Sequence, residues 1–408
     1  MRSRRSRRRL AALVVAVLVG AGACGSDDEA ATGGGGSATT EATDVGSTTT
    51  ATDDAPVGLA QWSERGPHGV GSVQIELEGR RVAVWYPAEE GAGVEEPTET
   101  FDVASLLSPE LQALVPSEVR RQVQYRVPAR PGAAADLSGG PYPVVLFSHG
   151  FAGFPEQSVD LTTHLASWGY VVAAPDHVER SLSGLLGTAK QGVTASTDPE
   201  VLAATLDLVV AQTGDDSSPL SDLVDAERVA VAGHSAGAGA AYRLAGSDDR
   251  IDAFASYSLG RGREPNALPE APDVPGLVML GDADATIEPG TTREVYETLA
   301  SPKYLAEVAD SGHLAFSDLC LIGADQGGLI GLAEEIDLPI PEDLKALGTD
   351  GCGDQYLPVT EAFPVIDALS VAFLRAHLDG DDVATEALVA GPVRGLDSDA
   401  DVTLTVEP

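Results

Sequence analysis

The chain has 408 residues, 63 Asp and Glu against 25 Lys and Arg, and a formal net charge of −38. Nucleic-acid binding needs a basic face, and lysine occurs here only at positions 190, 303 and 345. The length suffices for one large domain with a substantial core, and the chain contains no internal repeat.

The first residues read as an export signal. Met1 to Arg9 holds six arginines and no acid, and Leu10 to Ala23 is a run of 14 small or apolar residues. Such a run suits a signal-peptide core and is too short to span a bilayer comfortably. Ala21-Gly22-Ala23-Cys24-Gly25 resembles a bacterial lipobox, in which the cysteine is lipidated after cleavage; ordinary cleavage with Cys24 incidental is the alternative. Ser3-Arg4-Arg5 and Ser6-Arg7-Arg8 also permit a twin-arginine route. Residues 1–23 are therefore expected to be a lipoprotein-type signal peptide. Residues 24–57, mostly Gly, Ser, Thr, Ala and Asp, cannot bury enough apolar area to offset ordering entropy and are expected to form a flexible tether. Gly33 to Gly36 lies in that tether with no strand before it, so it is not a phosphate loop. Loss of residues 1–23 removes six arginines and no acid, which leaves −44. The expected location is the cell surface on a membrane anchor, or secretion if Cys24 is not lipidated.

Residues 58–408 are expected to form the catalytic domain. Alternation over 73–77 and 82–86, on either side of Glu78-Gly79, predicts a β-hairpin. Residues 88–140 are rich in Pro, Gly and acids and read as an insertion with one helical stretch near 104–124. Val144 to Phe147 is a wholly apolar run, as in a strand buried on both faces. Leu161, Leu165 and Trp168 sit at helical spacing and Gly169 is a natural stop. Residues 170–174 predict the next strand, Leu202 to Val210 a helix, and 228–232 another strand running into a small-residue helix over about 236–245. Further strands are expected at 252–256, 276–280 and 304–309. A second insertion is expected near 321–360, and a final helix carries Val365, Leu369, Ala372 and Phe373 on one face. Strands alternating with helices imply an α/β protein with a mostly parallel sheet, helices on both faces and the hairpin at its N-terminal end. In such sheets, ligands bind at the carboxyl ends of the strands.

The chemistry-bearing residues fall at those ends. Gly233-His234-Ser235-Ala236-Gly237 fits Gly-x-Ser-x-Gly between a buried strand and a helix, where a nucleophile elbow belongs. The flanking glycines allow the sharp turn, and the helix points its positive end at the Ser235 hydroxyl. A glycine-rich turn with an idle serine is the bland alternative. His313 follows the last predicted strand and is the expected base, with His177, at another strand end, as its rival. Asp284 follows strand 276–280 and is the expected acid, with Asp282 and Glu288 as rivals. The chain order Ser, Asp, His is that of the α/β-hydrolase fold. Gly150 leaves room for the backbone to approach a substrate, so the N–H groups of Phe151 and Ala236 are the expected oxyanion donors. With Cys24 assigned to the lipobox, Cys320 and Cys352 are an even pair in an exported chain, and a disulfide is expected rather than two free thiols. No Cys or His cluster has zinc spacing, and neither metal nor cofactor is expected.

Trp85-Tyr86-Pro87, Ser148-His149-Gly150, Glu156-Gln157-Ser158, Ala174-Pro175-Asp176-His177, Gly233-His234-Ser235 and Gly312-His313 together resemble the bacterial relatives of platelet-activating-factor acetylhydrolase. These are grouped with dienelactone-hydrolase-like proteins and lie near the polyester-cleaving cutinases. The resemblance covers about 65–320 and 362–379. It implies hydrolysis of carboxylic esters, short acyl or lipid and polyester type, through an acyl-enzyme, with Ser235, Asp284 and His313 as the triad. The expected partners are an ester substrate and, through the anchor, a membrane, but no nucleic acid. A catalytically silent binding protein and a serine peptidase on the same fold are the alternatives.

Overall fold

Short apolar runs become the middle of one sheet because no other environment hides both of their faces. A computed structural model describes residues 58–94, 98–262, 267–338 and 340–408. The expected signal peptide, tether and Cys24 lie outside the described residues.

Strands β1 (Gly69–Leu77) and β2 (Arg80–Ala88) form the expected hairpin, longer at its open end than the alternation predicted. Its turn residues Glu78 and Gly79 have φ of 49° and 85°, the left-handed pair that a two-residue turn needs to match strand twist. Strands β3 (Glu99–Asp102) and β4 (Gln124–Val127) pair in a separate two-stranded sheet, and β5 (Arg130–Pro131) lies parallel to β1. Six strands are mutually parallel: β6 (Tyr142–Ser148), β7 (Val171–Pro175), β8 (Val224–His234), β9 (Ala253–Tyr257), β10 (Gly276–Gly281) and β11 (Lys303–Val308). Strands β12 (Gly391–Pro392) and β13 (Val402–Glu407) finish one edge antiparallel. The 11-stranded sheet runs β12-β13-β11-β10-β9-β8-β6-β7-β2-β1-β5. The last two strands were not expected, although Val402 and Leu404 are buried and alternate with exposed threonines.

The period of two along each strand divides the core between the two faces. Val145, Phe147, Leu277 and Met279 enter one apolar cluster, and their neighbours Val144, Leu146, Val278 and Leu280 enter the other. Helices Val159–Ser167 and Val359–Leu374 pack together, and the second buries Val365, Leu369, Ala372 and Phe373 as its spacing predicts. The valine, leucine and phenylalanine side chains each contribute roughly 1.5–3 kcal/mol when fully buried. Helix Asp198–Gln212 starts on a capping box in which the side chains of Thr197 and Glu200 satisfy each other's backbone N–H.

The insertions differ from expectation. The stretch near 104–124 is a turn, Val103–Leu106, and two short helices, Pro109–Gln112 and Ser117–Gln122. Pro109 and Pro116 divide it, because proline disfavours helix in the residue before it and lacks the N–H a helix interior uses. The second insertion contains helices Gly328–Glu335 and Glu342–Leu347. Residues of both insertions line one cavity together with Ser235 and His313.

Candidate active site

Ser235 follows β8 directly and precedes helix Ala236–Ala245. Its φ of 57° and ψ of −117° are unusual for a residue with a side chain and store on the order of 1–3 kcal/mol of strain. The flanking glycines are steric necessities. A Cβ on Gly233 would stand 2.3 Å from the Gly237 carbonyl oxygen, and one on Gly237 would stand 1.9 Å from that of Ser148. The turn thus lifts the Ser235 hydroxyl out of the sheet at the start of a helix.

The three candidate triad residues come together from three strand ends. His313, in the loop after β11, has Nε2 2.8 Å from Ser235 Oγ. Its Nδ1 is 2.9 Å from Asp284 Oδ2, in the turn after β10. His313 is wholly buried and Asp284 is 5% exposed, so the pair has little water to compete for it. Burial pushes the Asp284 carboxyl up, but the bond and charge of His313 and the N–H of Ile287 outweigh burial and hold it below the ordinary carboxylate value. The rival acids are engaged elsewhere. Asp282 is exposed and its Oδ1 accepts from the Asp310 N–H at 2.6 Å, while Glu288 caps helix Pro289–Thr298 through the Gly290 N–H.

The rival base, His177, is not beside Ser235. It is fully buried, with Nε2 2.9 Å from Ser148 Oγ and Nδ1 3.1 Å from Asp198 Oδ1. These are triad residue types at triad distances, but Ser148 is closed to solvent and its hydroxyl accepts from Arg180 at 2.9 Å. Arg180 also donates to the carbonyls of His149 and Gly150 and to Asp198 Oδ2 at 2.8 Å. Its own carbonyl accepts the Ala152 N–H at 2.8 Å. Arg180 therefore holds the turn 148–152 from both sides. Burial first, then the Arg180 charge, pushes the His149 and His177 pKa values down, so both rings stay neutral.

A second chain of bonds joins that turn to the elbow. The Gly150 N–H donates to Gln157 Oε1 at 2.9 Å, the Gln157 amide meets His234 Nδ1 at 3.1 Å, and His234 Nε2 donates to the His313 carbonyl at 2.9 Å. Burial, then the neighbouring His313, pushes His234 down to about 3, as this wiring of a neutral ring requires. Phe151 follows Gly150 on the cavity wall, and Ala236 follows Ser235 at the helix start. The expected oxyanion donors thus stand on the two turns that this network links.

The cavity has a volume of about 210 Å³. Beyond Ser235, His313, Gln157, His234 and the turn 150–152, its lining is aliphatic and includes Val103, Leu107 and Leu186 of the first half of the chain and Leu332, Ile336 and Leu344 of the second insertion. Cys320 and Cys352 are disulfide-bonded, with Cα atoms 5.2 Å apart, and close the second insertion on itself. Sequence reasoning missed Gln157, Arg180 and Asp198 as supports of the site. Gln157 lies in the Glu156-Gln157-Ser158 motif, which by itself assigns it no role, and nothing in local spacing marks the other two.

A family model described as chlorophyllase matches residues 114–256, a span that includes Ser235 and ends before Asp284 and His313. Among solved structures, a ferulic acid esterase from Streptomyces cinnamoneus is 24% identical, with a TM-score of 0.53 over 80% of this chain and 94% of that one. No curated protein matches the chain significantly. The sheet order, the elbow and these likenesses together show an α/β-hydrolase fold.

Proposed function

With an α/β-hydrolase fold as the premise, we propose that the chain hydrolyses carboxylic esters through an acyl-enzyme on Ser235. The observation that carries this reading is the bonded line from Asp284 through His313 to Ser235, opening on an aliphatic cavity. Ser235 Oγ attacks the ester carbonyl carbon as His313 Nε2 takes its proton. The carbonyl oxygen becomes an oxyanion held by the N–H groups of Phe151 and Ala236, each contributing about 3–4 kcal/mol. Collapse of this intermediate expels the alkoxide, which leaves as an alcohol with the proton from His313. Water then gives a proton to the same nitrogen and attacks the acyl carbon, freeing the carboxylic acid and restoring Ser235. Asp284 stays ionised, fixes the ring tautomer and stabilises the imidazolium.

The cavity supports a substrate with an aliphatic portion. Among the described residues no charged side chain lines it, so a carboxylate on the substrate would be desolvated without a charged partner, and the net charge of −38 acts the same way. A feruloyl group would leave its phenol hydroxyl among alkyl side chains, where an acyl chain leaves nothing unpaired. On the leader sequence alone, we further propose that Cys24 is lipidated and the enzyme works at the cell surface.

The test compares p-nitrophenyl acetate, butyrate and octanoate with methyl ferulate and an aminoacyl p-nitroanilide, using the wild type and Ser235→Ala. Turnover should rise with acyl length and exceed that of the ferulate and the anilide. Ser235→Ala should lose about 10⁶ in kcat and all labelling by a fluorophosphonate. Near-wild-type ester turnover by the alanine variant would sink the mechanism, and faster anilide cleavage would make the protein a peptidase.

A further inference from the structure

Between β10 and the loop after β11, a third segment is wedged against both halves of the Asp284–His313 pair. It belongs to the second insertion, two residues before the disulfide-bonded Cys352. Asp350 is buried there, 5% exposed. Its Oδ2 accepts three bonds from the turn that follows Asp284: the Ala285 N–H at 3.0 Å, the Thr286 N–H at 2.8 Å and the Thr286 hydroxyl at 2.6 Å. Its Oδ1 lies 3.3 Å from the His313 N–H, and its backbone carbonyl accepts the Leu314 N–H at 2.8 Å. One residue thus binds the backbone on both sides of the acid–base contact.

The contact with Asp284 is direct in effect. Asp284 Oδ1 accepts from the N–H groups of Thr286 and Ile287, at 2.9 and 2.7 Å, and these bonds set its side-chain rotation. The Thr286 N–H is therefore shared between Asp284 and Asp350. Packing leaves no slack on the other side, because a Cβ on Gly312 would stand 2.5 Å from Gly351 Cα and 2.7 Å from Asp350 Oδ1. Gly351 itself has φ of 101°, so the chain turns away immediately after making these bonds.

We infer that Asp350 is a positioning residue of the triad, which fixes the distance and angle between Asp284 and His313 by holding both of their loops. The inference rests on the triad reading above. A buried carboxylate is well suited to the task, since its two oxygens accept several N–H bonds at once and such charge-assisted bonds are short and strong. Misplacement of a reacting group by about 1 Å costs on the order of 10² in rate.

The experiment uses the full, disulfide-bonded chain and the variants Asp350→Ala and Asp350→Asn. It reads kcat and KM on p-nitrophenyl butyrate, and the downfield proton resonance of the His313 Nδ1–H···Asp284 bond, assigned by its loss in His313→Gln. Asp350→Ala should lose about 10² in kcat with KM within about twofold, and its resonance should shift or broaden. Asp350→Asn keeps one oxygen for Ala285 and Thr286 but turns an NH₂ toward the His313 N–H, so it should recover about tenfold of that loss. A folded Asp350→Ala protein with unchanged kcat and an unmoved resonance would overturn the inference, even if it melts at a lower temperature. If Asp350→Ala does not fold, an unchanged kcat and resonance in Asp350→Asn would overturn it equally. Should the wild type cleave no ester, the functional reading falls by itself, and the resonance alone decides the role of Asp350.

Discussion

Replacing Asp284 by asparagine should abolish most turnover, while the same change at Asp282 should not. Asp284 Oδ2 accepts from His313 Nδ1 at 2.9 Å, and both side chains are buried. An amide nitrogen at that position would present hydrogens to Nδ1 and favour the tautomer with its proton on Nε2. That nitrogen, 2.8 Å from Ser235 Oγ, could then no longer accept the serine proton. Loss of the correct tautomer and of the charge facing the imidazolium costs up to about 10⁴ in kcat, or about 5.4 kcal/mol of barrier. Asp282 is exposed and bonds the Asp310 N–H, and Glu288 caps a helix, so Asp282→Asn and Glu288→Gln remove no contact with His313. Each should keep kcat within about threefold of the wild type, as surface changes away from such contacts generally do. The assay is steady-state hydrolysis of p-nitrophenyl butyrate by all three purified variants, with circular dichroism to verify folding. A collapse in Asp282→Asn with Asp284→Asn near wild type would move the acid two residues back and refute the reasoning.

Two further predictions concern the rest of the chain. Burial and the adjacent His313 hold His234 at about 3 in the fold, below the usual unfolded value of about 6.5, so its contribution to stability is full above about pH 6.5 and is lost as pH falls toward 3. Asp318 and Asp367, raised by burial, act with the opposite sign, so the test is differential: between pH 7 and 5, His234→Asn should lose about 2 kcal/mol less stability than the wild type in urea melts. Equal losses would show that His234 titrates normally in the fold. Intact-mass analysis of protein from an exporting bacterium should find Cys24 as the first residue, carrying two or three acyl chains, since one chain anchors only marginally. An unmodified N-terminus at or near Cys24 would end the anchor proposal.

The main strands, and the strand ends that carry Ser235, Asp284 and His313, were legible because each depends on a few neighbouring residues. A strand buried on both faces must be apolar throughout, and an elbow at Ser235 must have glycine at 233 and 237, whatever the remainder of the chain does. Strand β13 carries a weaker signal, an alternation of Val402 and Leu404 with exposed threonines over six residues, as suits a strand near the sheet edge with one solvated face. Prolines at 109 and 116 likewise announced the breaks in the first insertion, yet the apolar spacing around them read as one helix. His177 illustrates the opposite case. Its position at a strand end suited a base as well as that of His313 did, and only the folded chain sets its ring against Ser148 and Asp198 while that of His313 meets Ser235.

By itself, then, the amino-acid order determined the sheet, the elbow and the loops on which chemistry could stand, since periodicity, turn residues and strand–helix junctions act over fewer than about twenty positions. Tertiary structure alone decided which acid reaches His313, that Arg180 grips the turn at 148–152, and that Asp350 spans the loops of Asp284 and His313 across separations of 65 and 37 residues. It also brought residues near 103 and near 340 into the lining of one largely aliphatic cavity. Such meetings depend on where long connections come to rest over the sheet. That is fixed by packing among distant side chains, and no local pattern encodes the distance between two loops that the chain visits far apart in sequence.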